Sequence, residues 1–486
     1  MLIPVIRKPV RFKPDFRRVI ILYYDNGFDR SIALIQKIIT MSEEEAKQAN
    51  EATLREYARR HRNLTKQFMT NFDKASTIAQ RADISLDELS MTKKLLIGSF
   101  FSKEYSIEST AFFNPSVVES PDQTGLEEGS KRIIMSFRAM GEGHLSSIVF
   151  RSGVIDKNGD LHFLIANRYI DEAEIIKRHE YNKEGFITKL KEMEVSEEYI
   201  SLVMDKLNDR FIYGELLGAV AEIFKENNSF SSSKKRAINE IVWLADSHYE
   251  IIFSKDTDIS ERVIFPISFT ERKGIEDARF VKFTEEDGST IYYATYTAYD
   301  GHTILPKLIE TKDFYHFKIR PLHGSGAQNK NMALFPRKIK GKYAMLSRID
   351  GINSYIGFSA KVNVWNDPIQ IQSPKYYWEY IQLGNCGSPI ETPEGWLIIT
   401  HGVGPMRQYD LGASLLDLED PTKEIGRLAE PLLISNEDER EGLVPNVVYS
   451  CGSFVNGDTL VIPYGMSDTY SSLAFVDLKE LLKRLK

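Results

Sequence analysis

Two carboxylates and a guanidinium fall within four residues at Glu276, Asp277 and Arg279, inside the run Gly274-Ile275-Glu276-Asp277-Ala278-Arg279. The stretch Phe280-Val281-Lys282-Phe283 follows directly and reads as a strand. Loops at strand edges that carry acidic and basic side chains are where enzymes commonly place their chemistry. Asp277 is the candidate general acid. Glu276 beside it would raise its pKa by like-charge repulsion, and Arg279 would lower it. The order of residues does not decide between them. It also leaves open a purely structural reading, in which one carboxylate pairs with Arg279 to hold the loop.

The elements that must position these groups repeat along the chain. Gly274–Phe280 is followed by the strand-like Ile291–Thr297, Asn331–Pro336 by Lys342–Arg348, Gly387–Ile390 by Gly395–His401, and Cys451–Phe454 by Asp458–Tyr464. Upstream, Phe113–Val117 precedes Arg132–Arg138. Spacings of 55, 54 and 64 residues separate Phe280, Phe335, Pro389 and Ser453, a near-constant period of several strands per unit. Such a period predicts propeller blades, and five units predict a mainly β, five-bladed β-propeller; a sandwich would not repeat this pattern so evenly. In a propeller the innermost strands line a central channel, so polar residues at equivalent points converge there. Asn114, Arg138, Lys330, Asn331, Arg348, Asn385, His401, Asn446 and Asp468 join the opening motif on that basis. This mixture of donors, acceptors and cations suits a sugar with an anion beside it. Lys330, Arg348, His401 and Arg407 are the candidates for gripping the anion. The Gly-containing loop His323–Asn329 before Lys330 reads as a lid or a connector, and matches no phosphate-loop or dinucleotide fingerprint.

Helical patterning brackets the β part. Ser42 and Glu45 form a capping-box pattern, and Ala46, Leu54, Tyr57, His61, Leu64 and Phe68 recur at helical spacing. The expected organisation is an N-terminal helical region over 1–105 and a propeller domain over 106–486, with a helical insertion at about 171–255. The Ser-rich run Ser229–Ser233 precedes the last helix of that insertion, and Leu478–Leu485 reads as a closing helix. The apolar stripes of the helical parts suggest a cap and a homo-oligomer interface. A net charge of −7 excludes a general nucleic-acid binder, and no apolar run reaches the roughly 20 residues of a membrane span. Two cysteines, Cys386 and Cys451, and no secretory pattern at the N-terminus lead to a cytoplasmic expectation. Both cysteines read as small buried residues. Metal-binding patterns such as HExxH or paired CxxC are missing from the sequence, so neither a metal nor a cofactor is expected. Trp378 and Tyr380 could stack on a sugar, although strand aromatics are more often core.

Taken in order, Gly274–Arg279, Lys330–Pro336, Gly395–Gly402, Val444–Val448 and Tyr464–Asp468 resemble glycoside hydrolase family 130. The resemblance covers roughly residues 107–170 and 260–475. It implies a five-bladed propeller acting on β-mannosides with inversion, most members being phosphorylases and some hydrolases. Carried onto this sequence, it makes Asp277 the proton donor, acting on the glycosidic oxygen through a sugar hydroxyl. It gives Asn114, Arg138 and Asp468 the mannosyl unit, and Lys330 and Arg348 the phosphate, which would be a co-substrate. Glu276, Arg279 and His401 are further candidates for substrate binding. Ser347 stands where the short phosphorylases usually have His, and Ala278 replaces the family's usual Pro. The first departure leaves the nucleophile open between phosphate and water. The ranked readings are therefore a β-mannoside phosphorylase, a β-mannosidase, and a non-catalytic sugar-binding propeller. A hydrolase would need a second carboxylate to activate water, roughly 6.5–9.5 Å from the acid, with Glu142 and Glu379 as candidates.

Overall fold

The computed structural model describes residues 3–157, 159–176, 180–226 and 231–485. The protein is mainly β, with five antiparallel sheets of four to six strands in chain order. They open on Ala111–Glu119, Ile275–Thr284, Lys330–Leu334, Gln382–Asn385 and Val448–Tyr449; the first three lie in the repeats read from the sequence, and the last two lie just before Gly387–Ile390 and Cys451–Phe454. The second strands are Lys131–Met140, Thr290–Tyr299, Tyr343–Arg348, Gly395–Val403 and Thr459–Met466. The connections range from the tight turn of the second sheet to longer loops, two of which carry the short strands Ile390–Thr392 and Phe454–Asn456. Between the first two strands of the second sheet, Gly288 takes φ +82° and the Asp287 carboxylate accepts from the Ser289 N–H at 2.9 Å, as a turn built on Asp-Gly requires.

Neighbouring sheets cover one another's faces, which is why these strands read as continuous apolar runs rather than alternating ones. Every residue of Gly395–Val403 is buried. Separate apolar clusters fill the space between the first and second sheets, the second and third, the third and fourth, the fourth and fifth, and the fifth and first. Hydrogen bonds follow the same circuit. The Phe280 N–H donates to Ser116 Oγ at 3.2 Å, Thr284 N–H to the Pro336 carbonyl at 2.9 Å, and Asn331 Nδ2 to the Asn385 carbonyl at 3.0 Å. Tyr409 N–H donates to the Asn446 carbonyl at 3.0 Å, and Cys451 N–H to the Pro115 carbonyl at 2.8 Å.

The N-terminal helical region, 1–105, also contributes strands. Val5–Arg7 pairs with Tyr470–Asp477 and extends the fifth sheet, while Val19–Tyr23 pairs with Ser102–Ser106. The helices are Phe28–Thr40, Glu43–Tyr57, Leu64–Arg81 and Met91–Phe100, and the Ser42/Glu45 capping box is formed. The single stripe read from Ala46 to Phe68 crosses a break. Between the second and third helices, Arg60 and His61 reach Glu104 at 3.2 and 2.8 Å, and Arg62 reaches Glu261 at 2.6 Å. Those ion pairs turn the chain while the apolar face continues on the next helix.

The segment 171–255 carries the helices Lys183–Glu192, Glu197–Met204, Tyr213–Glu226 and Ser232–Asp246 around its own apolar cluster. Of the Ser-rich run before the last helix, residues 229 and 230 lie outside the described residues, and Ser231 caps the helix by accepting from the Lys234 N–H at 3.2 Å. Two short strands, missed by periodicity, stitch the segment to the second sheet: Tyr249–Ile252 pairs with His316–Pro321, and Glu174–Ile176 pairs with Tyr249–Ile252. The closing helix forms over Leu478–Leu485. Among the described residues, no helix is long and apolar enough to cross a membrane.

A fully buried ionic knot fastens the segment to the sheet. Glu271 accepts from Lys307 Nζ at 2.7 Å, Tyr296 OH at 2.6 Å and Tyr249 OH at 2.9 Å. Its burial would raise the carboxyl's pKa, but Lys307 and the hydroxyl and backbone donors outweigh that and hold it ionised below the usual carboxylate range. Removing one partner leaves an uncompensated buried charge. Lys307→Met should therefore lower the free energy of urea unfolding by about 3–5 kcal/mol. A loss below about 1 kcal/mol would show that the pair does not hold this junction.

Candidate active site

The first strands of three sheets share one backbone device. Each ladder slips by a bulge near its start, between Phe113 and Ser116, Glu276 and Arg279, and Lys330 and Ala333. In each bulge one residue takes a left-handed conformation: Asn114 (φ 49°), Asp277 (φ 56°) and Asn331 (φ 69°). Asn and Asp tolerate this region better than other residues with a Cβ, and a bulge re-aims the side chain out of the ladder. The repeat therefore supplies an amide or carboxyl at the same turned-out position three times. Asn446 (φ 60°) and Asp468 (φ 51°) adopt the same conformation in the turns that flank the fifth sheet's strands.

Two of these residues meet directly. Asn114 Nδ2 donates to Asp277 Oδ1 at 2.6 Å. Arg138 Nη2 lies 2.9 Å from Glu276 Oε1, and Lys330 Nζ lies 2.6 Å from Glu276 Oε2. Arg138 Nη1 is 3.7 Å from Asp277, and Arg279 Nη2 is 3.9 Å from its other oxygen. Of the two carboxylates of the opening motif, Asp277 and not Glu276 is the one beside Arg279, so the structural reading of that pair stands next to the catalytic one. Glu276 is the carboxylate held by two cations, while Asp277 keeps looser electrostatic contacts and one amide hydrogen bond. Burial pushes the Asp277 carboxyl up, but Arg138, Arg279, Lys330 and the Asn114 amide together bring it below the ordinary Asp value. In the substrate-free site Asp277 is a carboxylate.

Arg279 is only 2% exposed. Its guanidinium donates to the Asp277 carbonyl at 3.0 Å and to Tyr449 OH at 2.7 Å. Tyr449 was not among the residues singled out from the sequence. Its place three residues beyond Asn446, at the start of the fifth repeat, was the available signal. Asn331 donates to the same hydroxyl at 3.4 Å, and Asn385 accepts from Asn331 through its carbonyl. Phe113, also unread, lies under the Arg138 guanidinium at 5.1 Å from the ring centre.

Lys330 and Arg348 are direct cross-strand partners in the third sheet, so two cations stand side by side on one face. Arg348 is 8% exposed. Among the described residues it has no ion-pair partner within 4 Å; its one side-chain hydrogen bond runs to His401 Nε2 at 3.1 Å. Burial, with Arg348 and Arg279 nearby, drives the His401 pKa well below its usual value, so the ring is neutral. Because Arg348 can only donate, Nε2 accepts and Nδ1 carries the proton, 3.6 Å from Cys386 Sγ. His401 is therefore a support for Arg348 rather than a cation. Arg407, the fourth anion candidate, lies on an exposed turn. Ser347 is buried on the opposite face of its strand from Arg348.

The candidate bases lie elsewhere. Glu379 is buried in an ion pair with Arg427 at 2.9 Å and caps the backbone at Lys375, while Glu142 is solvent-exposed and pairs with Lys103 at 3.1 Å. Trp378 is core, with its indole N–H on the Ala429 carbonyl, and Tyr380 is exposed. Both cysteines are buried and unpaired. The loop expected as lid or connector is fastened, since the Gly324 N–H donates to Glu192 at 3.0 Å. Burial and the charges of Asp277 and Glu276 raise the Asp468 carboxyl to about 6.

A family model described as beta-1,4-mannooligosaccharide phosphorylase matches residues 229–486. The chain is 39% identical over 218 residues to the 1,2-beta-oligomannan phosphorylase of Thermoanaerobacter sp. (strain X514), covering 43% of this chain and 71% of that protein. It is 31% identical over 350 residues to the beta-1,2-mannobiose phosphorylase of Listeria innocua serovar 6a, covering 69% of this chain and 91% of that protein. The solved structure of a beta-1,2-mannobiose phosphorylase from Listeria innocua, in complex with beta-1,2-mannobiose, aligns with 24% identity and a TM-score of 0.45 over 77% of this chain and 92% of that one.

The raised Asp468 carboxyl has a consequence for stability. Its folded value, about 6, lies above the 3.8 of a free Asp, so the folded protein holds this proton more tightly than the unfolded chain. The resulting stabilisation is complete below about pH 4 and lost as pH rises through 6. Asp468→Asn, which keeps the left-handed backbone and removes the charge, should raise stability at pH 8 by about 1–2 kcal/mol and change it little at pH 4. Urea unfolding at the two pH values checks this; an equal effect at both would mean that ionisation is not its source.

Proposed function

The chain belongs to glycoside hydrolase family 130, and from that membership and the site we propose that it is an inverting β-mannoside phosphorylase. A phosphate oxygen attacks the anomeric carbon of the mannosyl unit as the bond to the leaving glycosidic oxygen breaks. The proton of Asp277 passes through a sugar hydroxyl to that oxygen. Inversion turns a β-mannoside into α-mannose 1-phosphate and a shortened acceptor. Asn114, Arg138 and Asp468 hold the mannosyl hydroxyls. Glu276 holds Arg138 and Lys330 in place, and Arg279 braces Asp277.

The observation that carries this reading is Arg348, a buried guanidinium whose one side-chain hydrogen bond among the described residues goes to a neutral imidazole. A buried charge without a counter-charge is costly, and like charges directly across a strand pair repel. A phosphate between Lys330 and Arg348 relieves both. It also supplies the proton logic. Cations lower Asp277, so a dianion that screens them raises its pKa and favours the acid form needed for leaving-group protonation. Water brings no such charge, and Glu142 and Glu379 are committed to other partners.

The fold we propose for this chemistry is a five-bladed propeller, supported by the circuit of hydrogen bonds and apolar clusters that returns from the fifth sheet to the first. In it, residues 106–486 form the catalytic domain, closed by the strand Val5–Arg7, with the helical parts as additions.

Incubation with β-1,2- or β-1,4-mannobiose should give mannose 1-phosphate only when phosphate is present. Free mannose released at the same rate with and without phosphate, and no mannose 1-phosphate, would overturn the reading. Arg348→Met should raise the KM for phosphate by about ten- to a hundredfold, the loss of one charged hydrogen-bond donor set, and change the KM for the mannoside less.

A further inference from the structure

A large cleft lies outside the site, between the helical insertion and the second sheet, with a volume of about 1390 Å³. Its position relative to the chemistry follows from register. Glu276 pairs with Thr297, and Thr297 with Pro306, which lines the cleft. With strands about 4.8 Å apart, Pro306 stands about 10 Å from Glu276 along one cross-strand row. The turn holding Asp300 and Thr303, also in the lining, is at the same end of the sheet as Glu276. At its other edge the cleft is bordered by Gln328 and Asn329, which run directly into Lys330. The cleft therefore begins where the site ends.

Its walls carry carbohydrate-binding chemistry. The helix Ser232–Asp246 turns Arg236, Asn239 and Trp243 into it, at the three- and four-residue spacing of one helix face. Phe269, 52% exposed, stands in the lining as well. Aromatic faces with amide donors and acceptors suit sugar rings and their hydroxyls, and charges of both signs, such as Arg236 and Glu240, give no preference for an anion. The border is rigid. Glu192, paired to Lys189 at 3.0 Å, holds the Gly324 N–H, and a Cβ at Gly324 would fall 1.9 Å from the Trp365 carbonyl oxygen.

We infer that this cleft binds the outer units of a β-mannooligosaccharide whose terminal mannosyl unit occupies the site. The inference rests on the proposed function and adds that the helical insertion selects for chain length.

The protein carries its own probe. Of its four tryptophans, Trp365, Trp378 and Trp396 are at most 2% exposed, and Trp243 alone is partly exposed, so a sugar-dependent emission change reports the cleft. Titration with β-1,2- or β-1,4-mannotetraose should shift the emission, in wild type and in Asp277→Asn, whereas the corresponding mannobioses should not. Phe269→Ala should lower kcat/KM for the tetraose about tenfold and leave the biose unchanged. No shift with either tetraose, an equal shift from a biose, or an equal loss on both substrates would overturn the inference. A tetraose shift without phosphate-dependent turnover of any of these sugars would sink the proposed reaction and leave the cleft standing. Phosphate-dependent turnover without a shift would do the reverse.

Discussion

The centre of this protein is organised by charge that its own side chains leave unbalanced. Arg138, Arg279, Lys330 and Arg348 converge where Glu276, Asp277 and Asp468 are the facing acids, and His401 is kept neutral among them. Glu276 is spent on Arg138 and Lys330. Asp277 is left ionised by the remaining field, and Arg348 is left with an imidazole. Buried cations in such surplus need an anion, and the reaction proposed for this site brings one. In that proposal the charge that binds the nucleophile also switches the acid, so one interaction sets both halves of an inverting displacement.

The scaffold holds this arrangement by repetition. Arg138, Thr297, Arg348 and His401 occupy equivalent register positions, opposite Phe113, Glu276, Lys330 and Gly384. One place past those partners, the bulges turn out Asn114, Asp277 and Asn331. Different side chains on one backbone plan thus supply the acid, sugar ligands and brace of the proposed reaction.

This explains what could be read from the residues. The strand pairs were legible because both faces of each sheet are covered, which writes them as long apolar runs, and the polar positions were legible because they recur at the same offset. The roles of Glu276 and Asp277 were not, since their difference lies in which cation reaches which oxygen across 54 or 138 residues of chain. His401 read as a cation because nothing local announces its burial. Tyr449 escaped because its function depends on Arg279, contributed by another sheet. Val5–Arg7, Glu174–Ile176 and Tyr249–Ile252 escaped because three- and four-residue strands show no usable period, and their partners are distant. The additions around the sheets are joined to them by buried chemistry, the Glu271 knot above all, so the insertion has a fixed place from which to shape a cleft.

The most direct test of Asp277 as the acid is to make the acid unnecessary. On β-mannobiose, Asp277→Asn should lose at least about a hundredfold in kcat, the usual worth of general acid catalysis. On 4-nitrophenyl β-mannoside, whose leaving group departs without protonation, the same variant should keep near wild-type, phosphate-dependent turnover. An equal loss on both substrates would contradict the assignment, because it would mean that Asp277 builds or binds rather than donates its proton.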